Sequence, residues 1–494
     1  MATIRVILPV KSFSALILTA LLVGCAPVNP TRTLIVYETL QPTEMPSRTA
    51  FPTRPSYEPG ELVDYTVQTG DTLPALSAHF NTTVDEILEA NPAIPKSATT
   101  LPPGMPIQVP IYYQPLWGSA IQIIPDNSFI NGPDLLDFNT SDFVNSHSGW
   151  LKSNREYAGG AWRTGGELID YVAINFSISP KLLLAIVEYQ AQGLSSPTFE
   201  GESFEYTLNY IEPFHQGFYS QLVWAANALN NGYYGWRTGD LKSYELEDHS
   251  VIFVDPWQNA ASAGLQYYFS QVMDPDQYHQ AIGETGFLAT YQSLFGDPWE
   301  SQTPHIPGSL EQPEMRLPFL PGAAWAYTGG PHTGWGEGEP RAAIDFAPPG
   351  IKGGCTPTTQ WAVALAEGVI ARKETAIAVL DLDMDGDERT GWVVFYLHLA
   401  TDSIPSAGTH LNSGDRIGLP SCEGGRSTGT HVHIARKYNG EWVPADGPLA
   451  FNLEGWVAQD GDDEYQGKLV RFSQSIRACI CSDQPSQIAS DIYP

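Results

Sequence analysis

Two histidines separated by one valine, near the carboxyl end of the chain, constrain its fold more than any other feature. They lie in the run Ser427-Thr428-Gly429-Thr430-His431-Val432-His433-Ile434-Ala435. In a β-strand, residues i and i+2 point to the same face, so His431 and His433 would project side by side. Neutral imidazoles bind zinc and transfer protons. The pattern predicts a strand with a candidate metal or catalytic site on one face; the alternative is a chance pair on a solvated strand.

The length and the charge of the chain limit its class. At 494 residues it is too long for one hydrophobic core, so we expect about three domains. It has 25 Lys and Arg against 55 Asp and Glu, a formal net charge of −30. Such a charge argues against binding to nucleic acid or to an anionic lipid surface. It suits a secreted or surface-displayed protein.

The first 25 residues predict export. Arg5 and Lys11 precede a short apolar run, residues 12–23, which is too short for an ordinary transmembrane span. The ending in Gly24-Cys25 resembles a bacterial lipobox, which implies cleavage before Cys25 and lipidation of its thiol; a plain signal peptide is the alternative. We therefore expect a cell-surface protein held to the membrane through its lipid anchor only. Residues 26–61, rich in Pro and Thr, predict a semi-extended tether.

Four further cysteines favour disulfides, because an even count is typical of exported chains. They are Cys355, Cys422, Cys479 and Cys481. Three pairings are open, and the sequence does not choose between them. A bridge at Cys422, nine residues before His431, would brace the loop that leads into the candidate site.

Residues 62–112 predict a strand, two short helices and a second strand. The segment begins with Tyr65-Thr66-Val67-Gln68-Thr69-Gly70-Asp71-Thr72-Leu73. It resembles a LysM module along its whole length. The resemblance implies a βααβ module that binds glycans containing N-acetylglucosamine, such as peptidoglycan.

Residues 115–305 predict a mostly α-helical domain, with helices over 167–176, 217–229 and 260–272. Ser179 and Pro180 are typical of a helix start. The run that follows, as far as Glu188, resembles the helix that carries the catalytic acid in lysozyme-like lytic transglycosylases. The resemblance implies that Glu188 is a general acid, but the sequence after it departs from that pattern. A structural glutamate in a helical spacer or in a second wall-binding module is the competing interpretation.

Residues 311–475 predict an all-β domain built from antiparallel strands, followed by a tail over 476–494 that contains Cys-x-Cys. Strands are expected over 361–373, 375–382, 392–399 and 431–437. Strand alternation would place His398 on one face with Val394 and Tyr396. His398 could then face the same cleft as the histidine pair.

A hydrolytic zinc site needs about three protein ligands and one open position. Asp345 lies at the end of an apolar run, and His332 follows the Gly-rich stretch Tyr327-Thr328-Gly329-Gly330-Pro331. These two residues, with the histidine pair, supply enough candidate ligands for such a site.

Three motifs in this region match one family in the right order. They are Ile344-Asp345-Phe346-Ala347-Pro348, Tyr396-Leu397-His398-Leu399 and the run from Ser427 to His433. Residues of about 311 to 475 thus resemble the lysostaphin, LytM and β-lytic zinc metalloendopeptidases (peptidase family M twenty-three). Many members carry a histidine four residues before the Asp, where this chain has Arg341, which cannot bind zinc. The β-lytic branch carries its first histidine further upstream, as His332 does here.

The resemblance implies one zinc ion per chain, held by His332, Asp345 and His433. By the same resemblance, His398 and His431 are the catalytic imidazoles.

A second candidate metal site lies at Asp381, Asp383 and Asp385, which precede Gly386 and are similar to a calcium loop. The twelfth position is Trp392, which excludes an EF-hand. A weak calcium site and an acidic hairpin turn between two strands both remain open.

Taken together, the sequence predicts a lipid-anchored peptidoglycan hydrolase with three folded parts. LysM would bind the glycan, and the β domain would be an endopeptidase that cuts a stem or cross-bridge peptide. The alternative, which Arg341 keeps open, is a non-catalytic peptidoglycan-binding protein or amidase activator with a degenerate peptidase fold.

Overall fold

The structure, a computed structural model, describes residues 54–112, 118–201, 203–300, 303–351, 353–481 and 484–490. The expected signal peptide, the expected lipidation site at Cys25 and the expected tether up to residue 53 lie outside the described residues. Within the described ranges, no helix is long and apolar enough to cross a membrane.

The first folded part has the predicted βααβ order. Its elements are β1 (Glu61–Thr66), α1 (Leu73–His79), α2 (Val84–Ala90) and β2 (Pro106–Ile111). Both helices start where a threonine accepts a backbone N–H: Thr72 caps α1, and Thr83 caps α2 in a reciprocal arrangement with Glu86. The two strands pair antiparallel and cover a small apolar core.

The second part is mostly helical, as predicted. Its elements are α3 (Asp126–Phe129), α4 (Thr140–Ser146), β3 (Arg155–Ala158), β4 (Ala161–Thr164), α5 (Gly165–Phe176), α6 (Pro180–Ala191), α7 (Phe218–Thr238), β5 (Ser243–Glu245), β6 (Val251–Phe253), α8 (Ala260–Ser270), α9 (Pro275–Ala281) and α10 (Phe287–Phe295). Ser179 caps α6, and Pro180 occupies its first turn. Helix α7 extends nine residues beyond the predicted end at 229.

The third part is built from short strands. They are β7 (Ala324–His332), β8 (Ala343–Ala347), β9 (Ala362–Val363), β10 (Gly368–Glu374), β11 (Ile377–Asp381), β12 (Trp392–Leu397), β13 (His410–Leu411), β14 (Arg416–Gly418), β15 (Val432–Tyr438), β16 (Glu441–Val443), β17 (Asn452–Leu453), β18 (Trp456–Asp460), β19 (Gly467–Arg471), β20 (Gln474–Arg477) and β21 (Gln487–Ala489). The main sheet is antiparallel in the order β13-β10-β11-β12-β15-β8-β7-β21, with β16 beside β15. Because β21 pairs with β7, the domain continues beyond the predicted end at residue 475.

The two faces of this sheet pack against different partners. Val394, Tyr396 and Ile434 face a core shared with β17, β18 and β19. Phe395 and Ala435, on the opposite face, belong to the same core as helices α5 to α8. The helical part therefore packs directly on the sheet. A simple spacer between the other two parts would not need this shared core.

A buried arginine on α7 joins all three parts. The Nη2 atom of Arg237 lies 3.1 Å from Asp126 Oδ2, and its Nε atom lies 3.0 Å from Glu441 Oε1 on β16. The same guanidinium donates to the carbonyl oxygen of Thr69 in the first part. Since His305 Nε2 also lies 2.5 Å from Glu441, the buried charges are paired and hydrogen-bonded.

The segment 305–310 fixes the first part to the rest of the chain. Thr69 Oγ1 exchanges hydrogen bonds with the backbone of Ile306. Thr99 and Thr100 donate to the carbonyl oxygens of Leu310 and Pro307, at 2.6 and 2.7 Å. These threonines lie on the loops before α1 and before β2, so both loops are held by one short segment.

Replacing Arg237 by methionine is expected to lower the free energy of unfolding by about 3–5 kcal/mol, because two carboxylates would stay buried without their main counter-charge. Urea unfolding measures this loss. Arg426, whose side chain is 99% exposed, gives the matched control Arg426→Met, with a change below about 1 kcal/mol. A loss from Arg237→Met no larger than that of the control would contradict the role of the junction.

The stability of the junction is also expected to depend on pH. Burial alone would raise the pKa of Glu441, but Arg237 and His305 outweigh burial and hold it at about 2, below the ordinary 4.5. A depressed carboxyl pKa stabilises the fold above pH 4.5, and this contribution, roughly 3 kcal/mol, is lost as the pH falls from about 4.5 to about 2. Glu441→Gln should therefore lose less stability between pH 6 and pH 2.5 than the parent protein, as measured by urea unfolding. Glu367→Gln, at an exposed site, should keep the parent's acid sensitivity.

Candidate metal centre

Three neighbouring strands bring the predicted ligands together. His332 is the last residue of β7, Asp345 is the middle residue of β8, and His433 is the second residue of β15. His433 and Asp345 are direct cross-strand partners. Gly329, opposite Asp345 on β7, leaves room for the carboxylate, since a Cβ there would lie 2.5 Å from Asp345 Oδ2.

The three side chains are buried, with exposed fractions of 2, 6 and 5% for His332, Asp345 and His433. The atoms His332 Nε2 and His433 Nδ1 each lie 3.3 Å from Asp345 Oδ1. The two nitrogen atoms are 3.0 Å apart. One point can therefore be reached by an atom of each side chain.

Backbone carbonyl groups fix the protons of both rings. His332 Nδ1 donates to Gly330 O at 2.8 Å, and His433 Nε2 donates to Gly334 O at 3.1 Å. Because a carbonyl oxygen can only accept, these nitrogens carry the protons of the neutral rings. The lone pairs of His332 Nε2 and His433 Nδ1 consequently point toward each other and toward Asp345.

This donor set fits a zinc ion. Asp345 Oδ1 is buried and has no hydrogen-bond partner among the described residues, although two imidazole nitrogens lie close to it. Zinc bonds of about 2.0–2.1 Å in tetrahedral geometry separate ligand atoms by about 3.3 Å, close to the distances found.

The two predicted catalytic histidines lie beside these ligands. The ring centroid of His398 is 4.6 Å from that of His431 and 6.2 Å from that of His433. His431 Nε2 lies 3.7 Å from Asp345 Oδ2. All five predicted site residues are thus brought together; the division into ligands and catalytic groups stays a prediction.

The prediction that strand alternation places His398 in the cleft was wrong. Val394 and Tyr396 point into the core on the opposite face of the sheet. His398 lies just beyond the end of β12 at Leu397, with a left-handed φ of 62°. This turn of the backbone, and not strand alternation, directs the ring toward His431.

In each catalytic candidate, one ring nitrogen is hydrogen-bonded to a backbone carbonyl group. His398 Nδ1 donates to Glu423 O at 2.7 Å, and His431 Nδ1 donates to Gly429 O at 2.8 Å. Burial, with the nearby His431 and His433, lowers the pKa of His398 to about 4. The His398 ring is therefore neutral near pH 7, and its Nε2 can accept a proton.

Arg341 is turned away from the ligands. Its Nη1 atom lies 3.0 Å from Asp460 Oδ2, and its Nε atom lies 3.6 Å from Glu339 Oε1. In the predicted ligand set, His332 at the end of β7 takes the place of a histidine at position 341.

A disulfide braces the loops beside the site. Of the three open pairings, the structure has Cys355–Cys422 and Cys479–Cys481. The first bridge connects the segment after β8 with the segment before His431. Close to it, Thr430 donates its backbone N–H to Gly354 O at 3.1 Å.

The other candidate residues lie elsewhere. The carboxylate of Glu188, at the end of α6, accepts backbone N–H groups from Leu194 at 2.8 Å and Ser195 at 3.2 Å. It thus caps a turn, which agrees with the structural interpretation of this residue.

The three aspartates of the second candidate metal site occupy the hairpin between β11 and β12. Ligand atoms of Asp381, Asp383 and Asp385 lie within 4.8 Å of one another. Burial raises the pKa of Asp381 to about 7, even though it accepts the N–H of Gly386 at 2.9 Å. The acidic hairpin turn is present, and calcium binding stays a prediction.

Sequence reasoning missed two neighbours of the site. Tyr465 stacks on His332, with ring centroids 4.1 Å apart. Helix α7 holds the segment between His332 and Asp345 through Asn227 and Asn231. Neither contact could be predicted from a local sequence pattern. The sequence indicates a close backbone approach in that segment only through two glycines, Gly336 and Gly338.

Comparison with known families identifies two of the three parts. The LysM domain model matches residues 65–110, and the model described as "LasA, N-terminal domain" matches residues 122–307. The chain thus contains a LysM domain, as predicted, followed by a LasA N-terminal domain. The helical part, for which a lysozyme-like domain was one expectation, matches this other family.

Curated relatives extend the similarity into the β domain. The chain is 23% identical to protease LasA of Pseudomonas aeruginosa over 385 residues, which is 73% of this chain and 84% of that protein. It is 29% identical to the beta-lytic metalloendopeptidase of Lysobacter enzymogenes over 165 residues, 32% of this chain and 86% of that protein. The resemblance to β-lytic metalloendopeptidases is therefore confirmed.

Solved metalloprotease structures are also similar to parts of the chain. Pseudoalterin, a deep-sea metalloprotease, is 25% identical, with 34% of this chain and 96% of that chain covered at a TM-score of 0.29. The catalytic domain of lysostaphin from Staphylococcus simulans is 18% identical, with 24% and 87% covered at a TM-score of 0.17.

Substitutions should separate ligands from catalytic groups. We expect about one zinc per chain in the parent protein, and loss of zinc in His332→Ala, Asp345→Ala and His433→Ala, because each removes one of three ligands. His398→Ala and His431→Ala should keep zinc, as should the exposed control His410→Ala. Elemental analysis after dialysis measures the zinc content. Full zinc content in His332→Ala would contradict the assignment of the upstream histidine.

Proposed function

We propose that this protein is a zinc-dependent endopeptidase that cuts a peptide bond in the stem or cross-bridge peptides of bacterial peptidoglycan. The observation that carries the proposal is the convergence of His332, Asp345 and His433 on one point, with the imidazoles of His398 and His431 beside it. Similarity to protease LasA and to beta-lytic metalloendopeptidases supports a metallopeptidase.

In this proposal, His332, Asp345 and His433 hold one zinc ion per chain. Bound zinc would supply Lewis-acid chemistry, which polarises a carbonyl group and lowers the pKa of water. The hydrogen bonds of His332 to Gly330 O and of His433 to Gly334 O keep both rings in the tautomer and orientation that ligation needs.

The two remaining imidazoles handle protons. His398 is neutral, and its Nε2 can accept a proton from an attacking water, while its Nδ1–H stays on Glu423 O. His431 Nε2 lies 3.7 Å from Asp345 Oδ2 and faces the same cleft. His431 is thus suited to donate a hydrogen bond to the oxygen that gains charge, or a proton to the leaving amine.

The LysM domain would bind the glycan of the same polymer. Export and a lipid anchor at Cys25 belong to the proposal through the apolar run and the Gly24-Cys25 ending. The enzyme would then act from the cell surface, with peptidoglycan as its partner.

Digestion of purified sacculi tests the proposal. The parent protein should release new amino groups without new reducing sugar ends, since an amide is cut and not a glycosidic bond. His431→Ala should lower the rate at least about 100-fold while keeping zinc, because proton transfer is lost. Glu188→Gln is the matched control and should keep the parent rate.

Two outcomes would overturn the endopeptidase. Release of sugar ends that Glu188→Gln abolishes would make the protein a glycosidase. Zinc-loaded parent protein that binds sacculi but releases no amino groups would favour the non-catalytic binding protein or amidase activator.

A further inference from the structure

Helix α7 lies against the segment that connects two predicted zinc ligands. We call residues 333–341, between His332 and the start of β8, the connecting loop. Asn227 and Asn231 are four residues apart on α7 and therefore lie on one face of the helix. This face contacts the connecting loop directly.

Both asparagines accept a hydrogen bond from the loop backbone. Asn227 Oδ1 accepts the N–H of Glu337 at 2.9 Å, and Asn231 Oδ1 accepts the N–H of Glu339 at 2.7 Å. The two acceptors are four residues apart on the helix, and the two donors are two residues apart on the loop. The loop is thus held at two points by a helix that is itself packed in the core.

Two glycines make this close approach feasible. Gly336 and Gly338 have left-handed φ angles of +87° and +83°. A Cβ at either position would lie 2.3 Å from the Oδ1 atom of Asn227 or Asn231, respectively. Both the conformation and the space therefore require glycine.

The same loop carries the group that orients a ligand. Gly334 O accepts the proton of His433 Nε2 at 3.1 Å. Next to it, Trp335 packs edge-on to Phe395 at 5.9 Å, and Phe395 packs edge-on to His433 at 6.3 Å. A shift of the loop would therefore move the carbonyl group that sets the tautomer of His433.

We infer that Asn227 and Asn231 are positioning residues of the proposed metal centre. Through the connecting loop, the two amides hold Gly334 O where His433 must present Nδ1 to the shared point. Substitution of residues that hold metal ligands in place through hydrogen bonds typically changes the metal affinity by about 10–100-fold. The inference rests on the proposed zinc site, but not on peptidase activity.

Zinc affinity of the full chain tests the inference. In the double variant Asn227→Ala and Asn231→Ala, the Kd for zinc should rise about tenfold, measured by competition with a chelator of known affinity. The kcat on a wall peptide should fall while KM stays within about twofold. Amide hydrogen exchange over 334–341 should become faster.

Conservative replacement separates positioning from folding. Asn227→Asp with Asn231→Asp keeps an acceptor oxygen at each position and should restore zinc affinity to within about threefold of the parent. Asn230→Ala is the matched control on the same helix, since Asn230 Nδ2 donates to Phe176 O at 3.0 Å inside the helical domain. It should lower the melting temperature and leave the Kd for zinc unchanged.

An unchanged Kd for zinc in the double alanine variant would overturn the inference, as would an equal loss in Asn230→Ala. Zinc binding by the parent without release of amino groups would reject the proposed endopeptidase and leave the positioning role intact. A parent protein that binds no zinc would overturn both.

Discussion

The pairing of Arg237 with two buried carboxylates is the constraint on which the rest of the structure depends. Asp126 belongs to the LasA N-terminal domain and Glu441 to the β domain, and the same guanidinium reaches a LysM carbonyl group. Burying these charges is costly unless all of them are paired. The three domains are therefore stable in one arrangement, and none can move away without leaving a buried charge exposed or unpaired.

The main sheet places the predicted ligands on the face that the helical domain covers. Its strands alternate between two cores, so that Val432 and Ile434 fill one core while His433 and Ala435 face the other side. The helical domain covers that second side, and its helix α7 reaches the connecting loop next to the ligands. The stability of the sheet and the geometry of the predicted ligands are therefore linked to the same interface.

Local patterns predicted much of this structure. The His431-x-His433 alternation, the Ser179-Pro180 helix start and the LysM elements each depend on neighbours in sequence, and each is found. The backbone turn that brings His398 to the site could not be predicted, because a left-handed φ at a histidine has no sequence mark. The contacts of Asn227 and Asn231 span 110 and 108 residues, so they become visible only when the fold brings α7 to the loop.

The segment 305–310 gives the LysM domain a property that a tethered module lacks. Thr69, Thr99 and Thr100 hydrogen-bond to this segment, which holds the module in one position relative to the candidate metal centre. With a flexible linker, two binding sites can reach targets over a range of distances from each other. With a rigid connection, they reach only targets that are separated by one distance. Under the proposed function, a glycan bound to this LysM domain would bring to the candidate site only those peptides that lie at one fixed distance along the polymer.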